Sequence, residues 1–182
     1  MPRFKVFHPD HEVMGHVVID MRNAIGSEDI FPIFQKHGLG DVDPKAWYPM
    51  QSMLDALREI DESGGSMFDF VSVGMNAAAN LKMPPELASL SMVQIAPMVP
   101  AIYRMNVRGT DLGVAACDVV NQNHIKISYS IPYPDDYLYG LVYGVAKRFI
   151  PAGKTFTVYY DPTIPRCDEG GETTTIHLKW DA

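Results

Sequence analysis

Residues 125–131 read Ile-Lys-Ile-Ser-Tyr-Ser-Ile, apolar and polar in strict alternation, and this stretch decides the fold. Period two places Ile125, Ile127, Tyr129 and Ile131 on one face and Lys126, Ser128 and Ser130 on the other, the pattern of a half-buried strand. Upstream, the run over residues 114–120 meets it across Asn121-Gln122-Asn123, so a hairpin is expected. Downstream, Phe156, Val158 and Tyr160 alternate with Thr155, Thr157 and Tyr159. Ile176, Leu178 and Trp180 alternate with Thr175, His177 and Lys179. One wet face and one covered face favour an antiparallel sheet. The cover is expected from a helix capped by Asp135 or Asp136, with Leu138, Leu141, Val142, Val145 and Phe149 as its apolar stripe. Gly140 and Gly144 lie one turn apart on it. Such a pair lets a backbone approach a sheet or a ligand closely, at about 1 kcal/mol each against Ala.

Ahead of residue 112 the period is helical. Residues 12–25 carry a helical pattern ending at Gly26, and Ser27 caps a short helix that stops at Gly38. Asp43 as N-cap and Pro44 at N1 predict a helix through Trp47, Met50, Leu54, Leu57 and Ile60. Ser66 with Asp69 resembles a capping box. It opens a helix apolar around nearly its whole circumference (Phe68, Phe70, Val71, Val73, Met75), hence a buried one. Residues 87–105 are rich in methionine and should kink or break at Pro97 and Pro100. The expected class is α+β: a single domain over 1–182, with a helical half (1–110) packed on a strand-strand-helix-strand-strand half (111–182).

Fifteen Lys and Arg against twenty-two Asp and Glu leave a net charge of −7, which argues against nucleic acid or an anionic membrane as the main partner. No run approaches the ~18 apolar residues of a membrane span. The start lacks the apolar core of a signal peptide, so a cytoplasmic location is expected. Cys117 and Cys167 show neither CxxC nor zinc-ligand spacing.

The order of elements resembles the superfamily that joins haem-based nitric-oxide and oxygen sensor domains, 4-vinyl-reductase-type small-molecule-binding domains and trafficking components of the TRAPP complex. The points of likeness are Trp47-Tyr48-Pro49, Val73-Gly74, Tyr103 through Gly109, and Ile127-Ser128-Tyr129-Ser130 running into Gly140-Leu141-Val142-Tyr143-Gly144. In the haem sensors an axial His precedes the sheet and a Tyr-x-Ser-x-Arg signature holds the propionates. This chain has no His between His37 and His124, and it reads Tyr129-Ser130-Ile131-Pro132-Tyr133 without the Arg. Haem is therefore disfavoured as a cofactor, with Met98, Tyr103 or a remote His as the substitute ligands. The Cys-rich tail of many vinyl-reductase-type domains is also missing.

Other chemistry is thinly supported. His8-Pro9-Asp10-His11 offers metal ligands but reads as an exposed, mobile tail. Cys117, in an apolar strand, reads as a small buried hydrophobe rather than a nucleophile. The acidic stretch around Cys167 reads as a solvated turn. No phosphate loop, nucleophile elbow or paired carboxylate appears.

The positive signal is methionine: Met67, Met75, Met83, Met92, Met98 and Met105 suit either ordinary core filling or an adaptable apolar cavity. Arg104 and Arg108 are placed for a ligand carboxylate or for surface ion pairs. The expectation is a non-catalytic sensor domain holding a hydrophobic small molecule between the helical half and the sheet. Met75, Met98, Tyr103, Arg104, Arg108, Tyr129, Gly140 and Gly144 line the site, and no metal is involved. A homodimer or a signalling partner is expected. The alternatives are haem-dependent gas sensing and a ligand-free interaction module of the trafficking type.

Overall fold

The computed structural model describes residues 3–63, 69–81 and 84–182. The expectations placed on Ser66, Met67, Phe68 and Met83 lie outside the described residues. The chain is α+β. Its first part runs β1 (Glu12–Met14), α1 (Gly15–Ile25), a 3-10 turn, α2 (Phe31–Lys36), β2 (Trp47–Pro49), α3 (Met50–Ser63) and α4 (Phe70–Asn80). Then come α5 (Pro85–Ala88), α6 (Met92–Ile95), the 3-10 turn Ala96–Met98, α7 (Val99–Asn106) and β3 (Val107–Arg108). The second part is β4 (Val114–Asn121), β5 (His124–Ser130), α8 (Asp135–Phe149), β6 (Phe156–Tyr160) and β7 (Thr174–Trp180).

The expected hairpin is β4–β5, and the large sheet runs β4-β5-β7-β6, antiparallel throughout. Its register stacks Ile125 on Leu178 and Val158, and Ile127 on Ile176 and Tyr160. Ile125, Ile176 and Leu178 are fully enclosed, worth roughly 1.5–3 kcal/mol per side chain. α8 packs over β6 and β7, while α7 packs over β4.

Five local expectations are corrected. Trp47 is not helical. β1, β2 and β3 form a second, small sheet in the order β2-β1-β3, pairing Met14 with Trp47 and Glu12 with Arg108. Asp43 caps a turn instead, accepting the Lys45 N–H at 2.8 Å, and α3 starts only after Pro49. Strands this short carry no readable alternation.

α4 is buried on one face only (Phe70, Val73, Gly74, Ala78), with Ser72, Asn76 and Asn80 exposed. Asp69 caps it, accepting the Val71 and Ser72 N–H groups at 2.9 and 3.2 Å. The proline break falls where expected, each proline sitting in the first turn of the next segment.

The cap of α8 comes from a distance. The Asp135 N–H donates to Asp168 Oδ2 at 3.0 Å, while the Asp168 N–H donates to the Asp135 carboxylate at 2.8 Å. Thr174 Oγ1 also donates to Asp135, which is buried. The turn around Cys167 is thus anchored rather than solvated, and Cys167 is itself buried.

The amino-terminal segment is docked, not mobile. Arg3 pairs with Asp61 of α3 at 2.9 Å and with Asp168 at 3.4 Å. Phe4 packs on Phe70, and Asp10 accepts the Thr110 N–H at 3.0 Å. His11 is buried, its Nε2 at 2.5 Å from the Thr110 carbonyl oxygen and its Nδ1 without a partner. Residues 3–11 therefore tie the helical half to the sheet half.

Candidate functional site

Four tyrosines meet where α7, β5, the 131–134 connection and α8 converge: Tyr103, Tyr129, Tyr133 and Tyr137. The Tyr133 and Tyr137 rings stack with centroids 5.7 Å apart. Tyr103 Oη donates to the Leu112 carbonyl at 2.8 Å, anchoring α7 to the entry of β4. Burial pushes all four phenols up, Tyr137 to about 12 and Tyr133 well above its ordinary value, with Tyr103 and Tyr137 adding to the effect of burial on Tyr133. Desolvation penalises the phenolate, so all four are neutral near pH 7.

Gly140 and Gly144 do approach a backbone closely, but it belongs to α4 rather than to the sheet or a guest. A Cβ built on Gly140 would stand 2.0 Å from the Val71 carbonyl oxygen, and one on Gly74 would stand 2.2 Å from the Tyr137 carbonyl oxygen. A Cβ on Gly144 would stand 2.5 Å from Ala78 Cβ and 3.0 Å from the Met75 carbonyl oxygen. Together the three glycines make a seam along which α4 and α8 touch.

Met75 and Met98 are half-buried. Arg104 is exposed. Arg108 is exposed as well, engaging Glu12 at 2.5 Å and lying 4.6 Å above the Trp47 ring, on the small sheet rather than at the tyrosines. Of the expected residues, the structure gathers Tyr103 and Tyr129 with Tyr133 and Tyr137. It sends the glycines to the α4–α8 seam and Arg108 to the small sheet.

The space near the cluster is small. A void of about 10 Å³ lies between Phe4, Phe7, Ile131, Pro132, Tyr133 and Cys167, room for about one water. A larger space lies elsewhere, in an open groove of about 480 Å³. Residues 89–94 of the helical half form one wall; Gln122, Phe149, Ile150, Pro151, Lys154 and Trp180 of the sheet half form the other. Its size is that of small-molecule sites, roughly 300–1,000 Å³. Met92, Phe149 and Ile150 supply buried apolar surface, and Trp180 a half-buried ring. Gln94 Oε1 accepts the Ser91 N–H at 2.9 Å, bracing that wall. Sequence reasoning missed this groove because its lining comes from separated segments.

The outer face of the large sheet carries a relay. His177 Nε2 lies 3.0 Å from Asp161 Oδ2, and His177 Nδ1 lies 2.8 Å from His124 Nε2. Hydrogen bonds hold Asp161 ionised well below the usual carboxylate range. His177 Nε2 therefore donates to the Asp161 carboxylate. Among the described residues no group of three or more His, Cys, Asp or Glu is placed to hold a metal ion, and no helix is long and apolar enough to cross a membrane.

No family model matches this chain, and no curated protein matches it. Solved structures do match, over nearly its whole length. The fold is that of the H-NOX domains. An oxygen-binding H-NOX domain related to soluble guanylate cyclases, described as its oxygen complex, aligns with a TM-score of 0.66 and 15% identity. That alignment covers 92% of this chain and 93% of that one. A mutant H-NOX of T. tengcongensis gives 0.67 at 16% identity, covering 91% and 93%. A Cs H-NOX mutant carrying 4-cyano-L-phenylalanine gives 0.68 at 17% identity, covering 92% and 94%.

Another fold neighbour, with a TM-score of 0.67 and 16% identity, is described through its haem redox potential and porphyrin distortion. The residues here do not fit a haem held between α7 and β5. Residues 69–81 and 84–108 include no histidine, and no arginine stands at the strand signature. The tyrosine cluster fills the convergence of the walls, and the glycine seam closes α4 onto α8.

Proposed function

We propose that this chain is a non-catalytic ligand-binding sensor module on the H-NOX fold, taking a small hydrophobic molecule in the groove between residues 89–94 and the Phe149–Trp180 wall. The observation that carries it is the groove's position: its walls belong to different halves, so an occupant bridges them. An apolar guest covers Met92, Phe149 and Trp180 while Gln122 and Lys154 orient its polar end. A guest that favours one spacing of the halves shifts the population toward it.

Native mass spectrometry of freshly purified protein tests occupancy. Titration with an environment-sensitive apolar dye, read through Trp180 fluorescence in a Trp47→Phe background, tests the place. Saturable quenching, lost in Met92→Asp, is expected. No retained molecule together with no saturable change refutes the reading.

A second reading, haem-dependent nitric-oxide or oxygen sensing, is favoured by the descriptions of the fold neighbours. It requires the tyrosine cluster to open and Met98, Tyr103 or a remote His to ligate iron. An absorption scan after haem reconstitution decides it. A Soret band at one haem per chain supports it, and its absence ends it.

A further inference from the structure

β4 is an edge strand: among the described residues its one strand neighbour is β5. It carries a single charged residue, Asp118, which pairs back onto Lys126 of β5 at 3.6 Å. Three of its valines are exposed, Val114 at 53%, Val119 at 39% and Val120 at 52%. α7, packed against this strand, adds Met105 at 72% and Ile102 at 38%. Natural edges are commonly blunted by lysine, proline, an inward charge or a bulge; β4 has no lysine, proline or inward charge, and its one register irregularity falls at its far end, between Val119 and Asn121. We propose that β4 pairs antiparallel with β4 of a second copy of this chain, joining two four-stranded sheets into one continuous sheet.

Symmetry fixes the register. A two-fold axis normal to the sheet keeps each side chain on its own face, and directly opposed residues share a face. The axis must therefore fall on a residue that faces its own copy. Centring on Asp118 opposes two carboxylates, which is unfavourable. Centring on Ala116 leaves Val119 and Val120 uncovered, and centring on Val119 leaves Val114 uncovered.

Centring on Cys117 pairs residues 114–120, with the regular ladder running from Val114 to Val119 and Val120 at the irregular end of the strand. Val114 then faces Val120 of the second copy, Ala115 faces Val119, and Asp118 faces only Ala116. The Asp118–Lys126 pair is untouched. One strand pair falls short of the roughly 800 Å² per partner of a standard interface. Ile102 and Met105 extend the contact, and the dimer is reversible and concentration-dependent.

Sedimentation equilibrium over a concentration series tests the association, and Cys117 reports the register. Opposed residues in an antiparallel pair have Cα atoms about 4.5–5.5 Å apart, inside the roughly 4.4–6.8 Å that a disulfide spans. An added oxidant should thus link two chains through Cys117, the buried Cys167 remaining reduced. Val120→Lys should shift the equilibrium to monomer by tenfold or more and abolish the link. Cys117→Ser should abolish the link and leave the dimer. A monomer at every concentration overturns the proposal, as does a dimer indifferent to Val120→Lys or one that never links through Cys117.

Discussion

Gly140→Ala probes the α4–α8 seam most sharply. A Cβ at this position would stand 2.0 Å from the Val71 carbonyl oxygen, whereas ordinary contact begins at 3.4 Å, so the helices must part by about 1.4 Å (3.4 − 2.0). The atoms in the way are backbone, with the Val71 carbonyl carbon at 2.8 Å and Cα at 2.9 Å, so no side chain can swing aside. In an unobstructed helix the same change stabilises by about 1 kcal/mol through propensity. Overpacking costs typically 1–3 kcal/mol, with the upper figure apt where backbone must move. The expected net effect is a loss of about 2 kcal/mol, which lowers Tm by roughly 4–8 °C for a chain of this length. Urea denaturation is the assay, with the midpoint falling at unchanged slope. Gly74→Ala should behave alike. Gly144→Ala should cost less, because its nearest obstacle is the Ala78 methyl. A midpoint that rises in Gly140→Ala, as propensity alone demands, would refute the seam.

Asp135→Asn turns one of the two buried oxygens that accept the Thr174 hydroxyl and the Asp168 N–H into an amide donor, so a loss of about 2–3 kcal/mol is expected in thermal denaturation; an unchanged melting curve would show that the cap is dispensable. Burial, then Lys179, His177 and Lys126, hold His124 below its ordinary 6.5. The unfolded chain binds the proton more readily, so this contribution is present above pH 6.5 and is lost as pH falls below it through the lower value of the folded chain. Stability measured against pH should accordingly slope less near 6 in His124→Asn, and an unaltered slope would count against it. Asp10, lowered from 3.8 to about 2 by its bonds to Thr110, contributes above 3.8 and loses its contribution as pH falls toward 2. Asp10→Asn should flatten that acid limb. Alkaline titration followed by phenolate absorbance should show Tyr103, Tyr129 and Tyr133 ionising only as the chain unfolds; reversible ionisation of all nine tyrosines near pH 10 would contradict the buried cluster.

The strands of the large sheet were legible because each is long enough to show period two beside a turn signal. β1, β2 and β3 were not: two or three residues have no period, and Trp47 fell within a run whose apolar spacing continues smoothly into α3. The glycines on α8 announced a close approach without naming what approaches, since sequence spacing on one helix says nothing of its neighbour. The cap of α8 was misassigned for the same reason. Asp135 and Asp136 lie where local rules look, while Asp168 arrives from the far side of β6. Tyr133 and Tyr137 stood within Pro132-Tyr133-Pro134-Asp135-Asp136-Tyr137 without a period to mark them as inward. Methionine content suggested interior room, yet tyrosines fill the convergence and the usable space opens at the rim.

The ribbon formed by residues 3–11 leans on α3, α4, Thr110 and Asp168 at once. Rocking one half against the other must therefore slacken or stretch it. A fluorophore on exposed Lys5 would register such motion without touching the groove or the β4 edge, and any polypeptide joined ahead of Arg3 would inherit it as a change in how firmly its tether is held.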